Sequence, residues 1–308
     1  MNTKIAIGLD IGGSHISSGA VDLHTSNIVL GSLHSNSVNN KASKEDIFKD
    51  WSRAINKTIT SANLSESIKI GFAMPGPFHY KTGLAMFTGN DKYESLYNIS
   101  LPATFPEYLN GGHSCELRFL NDATAFGVGV AAREFKGHAK VLSLTLGTGF
   151  GSAFIKNGIP QVYASDVPKG GCLWDEPFLD GIGDDYFSTR WFIKKYEERT
   201  STRLAGVKEI AQTNDTAAKE IFEEFSLNLT TFLNPFLEKF KPRAIVLGGN
   251  ISKAHQFFLP HVKTELVKAG FNITIRISRL MEEAAIIGSA KLFEPEFWDQ
   301  VKEDLPNL

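Results

Sequence analysis

Cysteine is scarce: the 308 residues hold two, Cys115 and Cys172, far apart and in no C-x-x-C spacing. That excludes a disulfide-stapled fold and predicts a reducing compartment. A structural zinc site needs closely spaced Cys and His, and the nearest approach, His113-Ser114-Cys115, offers two ligands at most, so no structural zinc is expected. Charge of one sign is also missing, since 32 Lys+Arg face 34 Asp+Glu for a formal net charge of -2. A chain that grips nucleic acid through its surface needs clustered Lys and Arg, so no nucleic-acid partner is expected. No run approaches the ~18 apolar residues of a membrane span. The opening Met1 to Asp10 has no apolar stretch of signal-peptide length, so the expectation is a cytoplasmic protein without a membrane partner. What is present is ordinary: 42% hydrophobic and 21% charged residues, and a length that suits two domains of roughly 150 residues, each able to bury a core.

Strand signals come first. Lys4 to Leu9 is apolar and ends at Asp10, Ile11-Gly12-Gly13-Ser14 turns the chain, and His15 to Leu23 and Asn27 to His34 read as further strands. Ser43 and Asp46 stand in capping-box-like spacing before Ile47, Trp51, Ile55 and Ile59, whose steps of four predict a helix with one buried stripe. Ile68 to Ala73 is a strand that Met74-Pro75-Gly76-Pro77 ends. Glu116 to Leu120 is another, and it runs through Asn121-Asp122 into Ala123 to Glu134, small and apolar residues that suit a buried helix. Then the opening pattern repeats as Lys140 to Leu146, the turn Gly147-Thr148-Gly149-Phe150-Gly151, and Ser152 to Lys156.

Gln161 to Asp185 is irregular and acidic, with Pro168, Gly170, Gly171 and Pro177, and reads as a long functional or mobile loop. Asn214 or Asp215 can cap a helix that Pro235 should kink or restart. The strand Ala244 to Leu247, the turn Gly248-Gly249-Asn250-Ile251-Ser252, the helix His255 to Ala269, the strand Asn272 to Ile277 and the helix Met281 to Phe293 complete an α/β alternation.

Four features therefore sit just after strands: Asp10 with Gly12, Gly13 and Ser14; Asn121-Asp122; Gly147-Thr148-Gly149; and Gly248-Gly249. In α/β proteins ligands collect at the carboxyl ends of strands. Glycines there let backbone N–H groups approach phosphate oxygens, and Ser14 and Thr148 add hydroxyl donors. Asp10 would repel a bare phosphate, so its place beside such a nest predicts a divalent cation, Mg²⁺, held directly or through water with a nucleotide. Each feature also has an ordinary alternative. The turns can be tight hairpins, and Asp122 can be the N-cap of the following helix. A dinucleotide fingerprint is not supported because a strand follows Gly151, and no G-x-x-x-x-G-K-[ST] run occurs.

In the order Asp-x-Gly-Gly-Ser, Pro-Gly-Pro, Asn-Asp-Ala, Gly-Thr-Gly-x-Gly and Leu-Gly-Gly-Asn-Ile-Ser, the chain resembles the ROK family of sugar kinases over nearly its whole length. The resemblance implies an α/β, two-lobed actin-like ATPase (ribonuclease H-like) fold, each lobe a mixed sheet flanked by helices, with a nucleotide cleft between. The lobes are expected at 1–118, joined by a C-terminal helix 294–308, and at 119–293. ATP with Mg²⁺ and a hexose or N-acetylhexosamine are the implied ligands, and a homodimer the implied assembly. Asp122 matches the family's catalytic base, and Asn121 and Asn90 match positions near the sugar.

The chain departs from the family where Lys169-Gly170-Gly171-Cys172-Leu173 stands in place of a Gly-Glu-x-Gly-His element and a Cys-rich zinc motif. Sugar contacts are then expected from Glu176 and Asp184, with Asp175 a further choice, or these acids form a solvated loop face. A catalytically silent sugar or nucleotide sensor is the alternative to a kinase. A sugar-responsive regulator is not expected, because the first strand at Lys4 leaves no room for a helix-turn-helix domain.

Overall fold

The structure, a computed structural model, describes residues 5–65, 67–89, 92–112, 114–135 and 140–305. The chain divides by packing into two units, Met1–Lys136 with Glu282–Leu308, and Gly137–Met281.

The first unit is built on a mixed sheet. Strand β1 (Ile5–Ile11) pairs antiparallel with β2 (His15–Asp22), which carries the short β3 (Asn27–Ile28) and β4 (His34–Ser37). The expected continuous strand from Asn27 to His34 is interrupted, and Gly31 at φ +77° marks the turn that breaks it. Helix α1 (Lys44–Ser61) packs on β2 and β4, and the Ser43 hydroxyl accepts from the Asp46 N–H at its start. Its predicted stripe is buried, Trp51 packing among Phe48, Phe105 and Tyr93. Burial of such side chains is worth about 1.5–3 kcal/mol apiece. Strand β5 (Ile68–Met74) runs parallel to β1; the small hairpin of β6 (Phe78–His79) and β7 (Leu84–Ala85) and the single turn α2 (Leu101–Thr104) follow; β8 (Cys115–Asn121) then joins parallel to β5. Helix α3 (Asp122–Glu134) leaves directly from the end of β8.

The second unit repeats the order. Strands β9 (Lys140–Leu146) and β10 (Phe150–Lys156) form an antiparallel hairpin extended by β11 (Ile159–Pro160). The stretch expected to be one irregular loop contains a two-stranded hairpin, β12 (Pro177–Phe178) and β13 (Gly181–Ile182), and the turn α4 (Gly183–Tyr186). Helices α5 (Thr189–Thr200), α6 (Val207–Thr213) and α7 (Thr216–Phe240) come next. Asp215 caps α7 through the Ala218 N–H, and the helix runs unbroken through Pro235. Strand β14 (Ala244–Gly248), helix α8 (His255–Lys268) and strand β15 (Thr274–Ile277) finish a sheet of order β11-β10-β9-β14-β15, which matches the order β3-β2-β1-β5-β8 of the first unit's sheet. The core of this unit is rich in phenylalanine, Phe187 lying against Phe150, Phe225 and Phe232.

The chain then returns to the first unit with α9 (Glu282–Ala290) and α10 (Pro295–Val301). This corrects the expected boundaries, which place 119–293 together. The reason is close packing of α9 on the first sheet: a Cβ on Gly8 of β1 would overlap the Ile286 carbonyl oxygen, and one on Gly71 of β5 would overlap that of Ser289. Only glycine lets a helix backbone approach a strand backbone in this way. Ser289 also ties α9 to β1, its hydroxyl oxygen lying 3.1 Å from the Leu9 N–H nitrogen.

Candidate active site

In the first unit the parallel register sets the chemistry at one sheet edge. Asp10 lies opposite Ala73, and Met74 opposite Asn121, so Asp10 and Asp122 emerge from the carboxyl ends of β1 and β8 with β5 between them. Both keep part of their surface open, yet the surrounding protein strips enough solvent to raise both carboxyls. Desolvation, then the charges of Asp122 and Glu282, push Asp10 up to about 8. Desolvation also raises Asp122, against the pull of the Ala123 N–H and the charge of Lys92. Glu282, the first residue of α9, faces this edge with His15 at 3.4 Å and Ser17 at 3.4 Å.

The capping role falls on the other member of the Asn-Asp pair. Asn121 is the N-cap of α3, its Oδ1 accepting from the Thr124 N–H at 3.1 Å while its Nδ2 donates to the Tyr80 hydroxyl at 3.2 Å. Asp122 is the first helical residue. The Asn121 amide is thus committed at both ends, and Asp122 is relieved of the cap that the sequence allows for it.

The turn after β1 is fastened from outside. The Gly12 N–H donates to the His15 carbonyl at 2.9 Å, the Tyr93 hydroxyl donates to the Gly12 carbonyl at 2.5 Å, and Asn40 donates to the Gly13 carbonyl. Neither Gly12 nor Gly13 has a positive φ. A methyl added at Gly13 would find only ordinary contacts, the nearest 3.5 Å away. Ser14 is exposed at the tip.

The second unit presents the other turn. The Gly147 N–H donates to the Gly149 carbonyl at 3.0 Å, and Gly147 and Gly149 also have no positive φ. A Cβ on Gly147 would meet nothing nearer than the Asn250 backbone nitrogen at 4.0 Å. Register puts Gly248 opposite Thr145, so the Gly248-Gly249 turn leaves the same edge of this sheet. Gly249 differs from the hairpin glycines. Its φ is +80° and a Cβ there would overlap the Leu146 carbonyl, so the fold itself requires it.

Asp184, expected among the sugar contacts, is bound to this turn instead. Its Oδ1 accepts from the Phe150 N–H at 2.6 Å, and its Oδ2 is ion-paired with Arg190, which also donates to the Thr148 carbonyl at 3.1 Å. Thr189 donates its N–H and its hydroxyl to the Gly147 carbonyl at 2.8 and 2.9 Å. Glu176 is half-buried beside Asp175 and carries a raised carboxyl, chiefly through burial. Cys172 sits near Asp175, its thiol pushed up to about 12, burial first. Asn90 and His113 lie outside the described residues.

The structure adds residues that sequence reasoning passes over: Glu282, Lys92, Tyr80 and Tyr93 in the first unit, Thr189 and Arg190 in the second. An acid opening a helix of small residues is a sequence signal for Glu282; the others become visible only through tertiary contacts. As a metal site the first edge has one carboxylate at the turn, and among the described residues no group of three His, Cys, Asp or Glu is arranged to hold an ion. That donor set fits a hard cation that brings phosphate oxygens with it, not a resident ion caged by protein.

A family model described as the ROK family matches residues 6–163 and 181–296. The chain is 27% identical to the N-acetyl-D-glucosamine kinase of Haemophilus influenzae, over 93% of this chain and 98% of that protein. It is 26% identical to the glucokinase of Thermotoga maritima, over 94% of this chain and 96% of the relative. Among solved structures, the ROK hexokinase of Thermus thermophilus superposes with a TM-score of 0.73 at 19% identity, covering 97% of this chain and 99% of that one.

Proposed function

The chain belongs to the ROK family, and from that premise we propose that it is an ATP-dependent carbohydrate kinase transferring the γ-phosphate to a hydroxyl of a hexose or N-acetylhexosamine. The observation that carries this reading is a pair of turns, each with one glycine that the fold does not need. Gly13 and Gly147 have ordinary backbone angles and room for a Cβ, and both stand at the carboxyl edge of a sheet. Leaving the side chain off there suits the close approach of phosphate oxygens to backbone N–H groups. Gly12, Ser14, Thr148, Gly149, Gly248 and Gly249 complete the proposed phosphate contacts.

A sugar hydroxyl is too weak an acid to attack unaided, so a positioned base must take its proton as the bond to phosphorus forms. Asp122 is assigned that role. It stands at a strand end beside the acidic edge, its carboxyl is raised by desolvation and thereby made more basic, and Asn121 has taken over the cap. Asp10 would hold Mg²⁺, directly or through water, and the ion when bound neutralises phosphate charge. The names of the relatives, N-acetylglucosamine kinase and glucokinase, support the acceptor class. Asn90, Glu176 and the second Nδ2 hydrogen of Asn121 are assigned to the sugar, while Asp184 is assigned to the second turn. The reading carries with it a cytoplasmic enzyme acting as a homodimer.

The test is ADP release with Mg·ATP across glucose, fructose, mannose, allose, N-acetylglucosamine and N-acetylmannosamine, beside Asp122→Asn. Sugar-dependent turnover is expected, falling by about 10²–10⁴ in the variant while nucleotide binding persists. ATP binding with no turnover on any sugar would instead favour the silent sensor.

A further inference from the structure

Lys92 enters none of the roles above, yet its place in the first unit is fixed. Its side chain runs along the turn after β1: a methyl on Gly13 would lie 3.5 Å from Lys92 Cε and 3.7 Å from its Cδ. The next residue, Tyr93, pins it there. Tyr93 sits at φ +56°, a left-handed conformation uncommon for a bulky residue. Such a conformation persists only where the surroundings over-determine it. They do: the ring is fully buried between Trp51 and Phe87, the N–H donates to the Asn40 carbonyl at 2.8 Å, and the hydroxyl donates to the Gly12 carbonyl at 2.5 Å. Asn40 in turn donates to the Gly13 carbonyl. The turn and the segment carrying Lys92 are therefore one hydrogen-bonded assembly, with a cation brought to an edge that otherwise gathers carboxylates.

We propose that Lys92 is a phosphate-binding residue, its ammonium holding the terminal phosphoryl group of the nucleotide beside Asp122. The assignment rests on the kinase reading and sharpens it. A point charge on a flexible stem can follow a phosphoryl group as it moves from donor to acceptor, where a backbone nest cannot. The same charge acts on Asp122, opposing the desolvation that would protonate the base. A lysine that merely supported the hairpin would touch all nucleotides alike.

Calorimetry of the whole protein with Mg²⁺ and either ADP or the β,γ-imido analogue of ATP separates these roles. Lys92→Met should weaken the analogue by about tenfold or more and leave ADP unchanged within error. Lys92→Arg should restore part of the loss. Tyr93→Phe, which keeps the ring and removes the bond to Gly12, should show the same discrimination in smaller degree. Equal weakening of both nucleotides by Lys92→Met, or no change in either, overturns the assignment and leaves the kinase reading standing. A wild-type protein that binds neither nucleotide overturns both.

Discussion

The turn after β1 and the turn after β9 have similar sequences and matching positions in sheets of the same strand order, but their charges are balanced differently. Around the first, burial and then the charges of Asp122 and Glu282 raise Asp10 to about 8. Around the second, the carboxylate of Asp184 is paired with Arg190, and the Gly147 carbonyl is satisfied twice by Thr189. Both glycine-rich turns invite a phosphate, but only the first leaves acid in surplus. A motif thus identifies where a nucleotide can be held, and the environment of the motif separates holding from chemistry.

The largest consequence of this difference is in how stability responds to pH. Asp10 keeps its proton to about 8 in the folded chain, against 3.8 for an ordinary aspartate. The folded state therefore binds more protons between these values. The stability this group contributes is present in full below the lower value and is lost as pH rises through the upper one. One proton sets a slope of at most about 1.4 kcal/mol per pH unit. Urea midpoints of the wild type should fall from about pH 5 to about pH 8 relative to Asp10→Asn, which lacks the titration. A difference that stays flat or rises would remove the contrast between the turns.

Next in size are the glycines that both turns share. Gly13→Ala and Gly147→Ala should each leave stability within about 0.5 kcal/mol, because the backbone angles and the space accept a methyl. Each should nonetheless lower affinity for Mg·ATP by about tenfold, since the methyl stands where phosphate oxygens approach. Gly249→Ala is the counter-case. At φ +80° with the Leu146 carbonyl in the way, it should cost about 1–3 kcal/mol in stability. Thermal unfolding and calorimetry on the same three variants check the pattern, and loss of stability in the first two would return those glycines to a structural role.

Much of this was legible in the sequence because the signals are local. Periodicity at Ile47, Trp51, Ile55 and Ile59 finds α1, and repetition of an apolar run with a glycine-rich turn finds both hairpins. The residues Asp10 and Asp122 follow from strand ends alone. What was hidden depends on partners distant in sequence. Nothing near residue 282 says that α9 packs on β1 and β5, because the decisive contacts, Gly8 with Ile286 and Gly71 with Ser289, join segments far apart in the chain. The same holds for Asp184. Its acidity suggests a sugar contact, and only the fold reveals Arg190 and the Phe150 N–H as its partners. Asn121 and Asp122 show a finer limit, since adjacent residues that can both cap a helix are told apart only by which one the helix begins on.

The smallest effect should come from Arg190, and its smallness is informative. The guanidinium is 61% exposed, so its pair with Asp184 is screened by water and salt. Exposed pairs contribute about 0–1 kcal/mol, a factor of up to about five in affinity. Arg190→Gln removes that pair and the bond to the Thr148 carbonyl, while Asp184 keeps the Phe150 N–H and Thr189 keeps the Gly147 carbonyl. The turn should loosen without collapsing. Steady-state kinetics should then show KM for ATP raised by up to about fivefold, less at high salt in the wild type, with kcat unchanged. A fall in kcat approaching that of Asp122→Asn would mean that the second turn takes part in bond making, and the division of labour drawn between the two turns would fail.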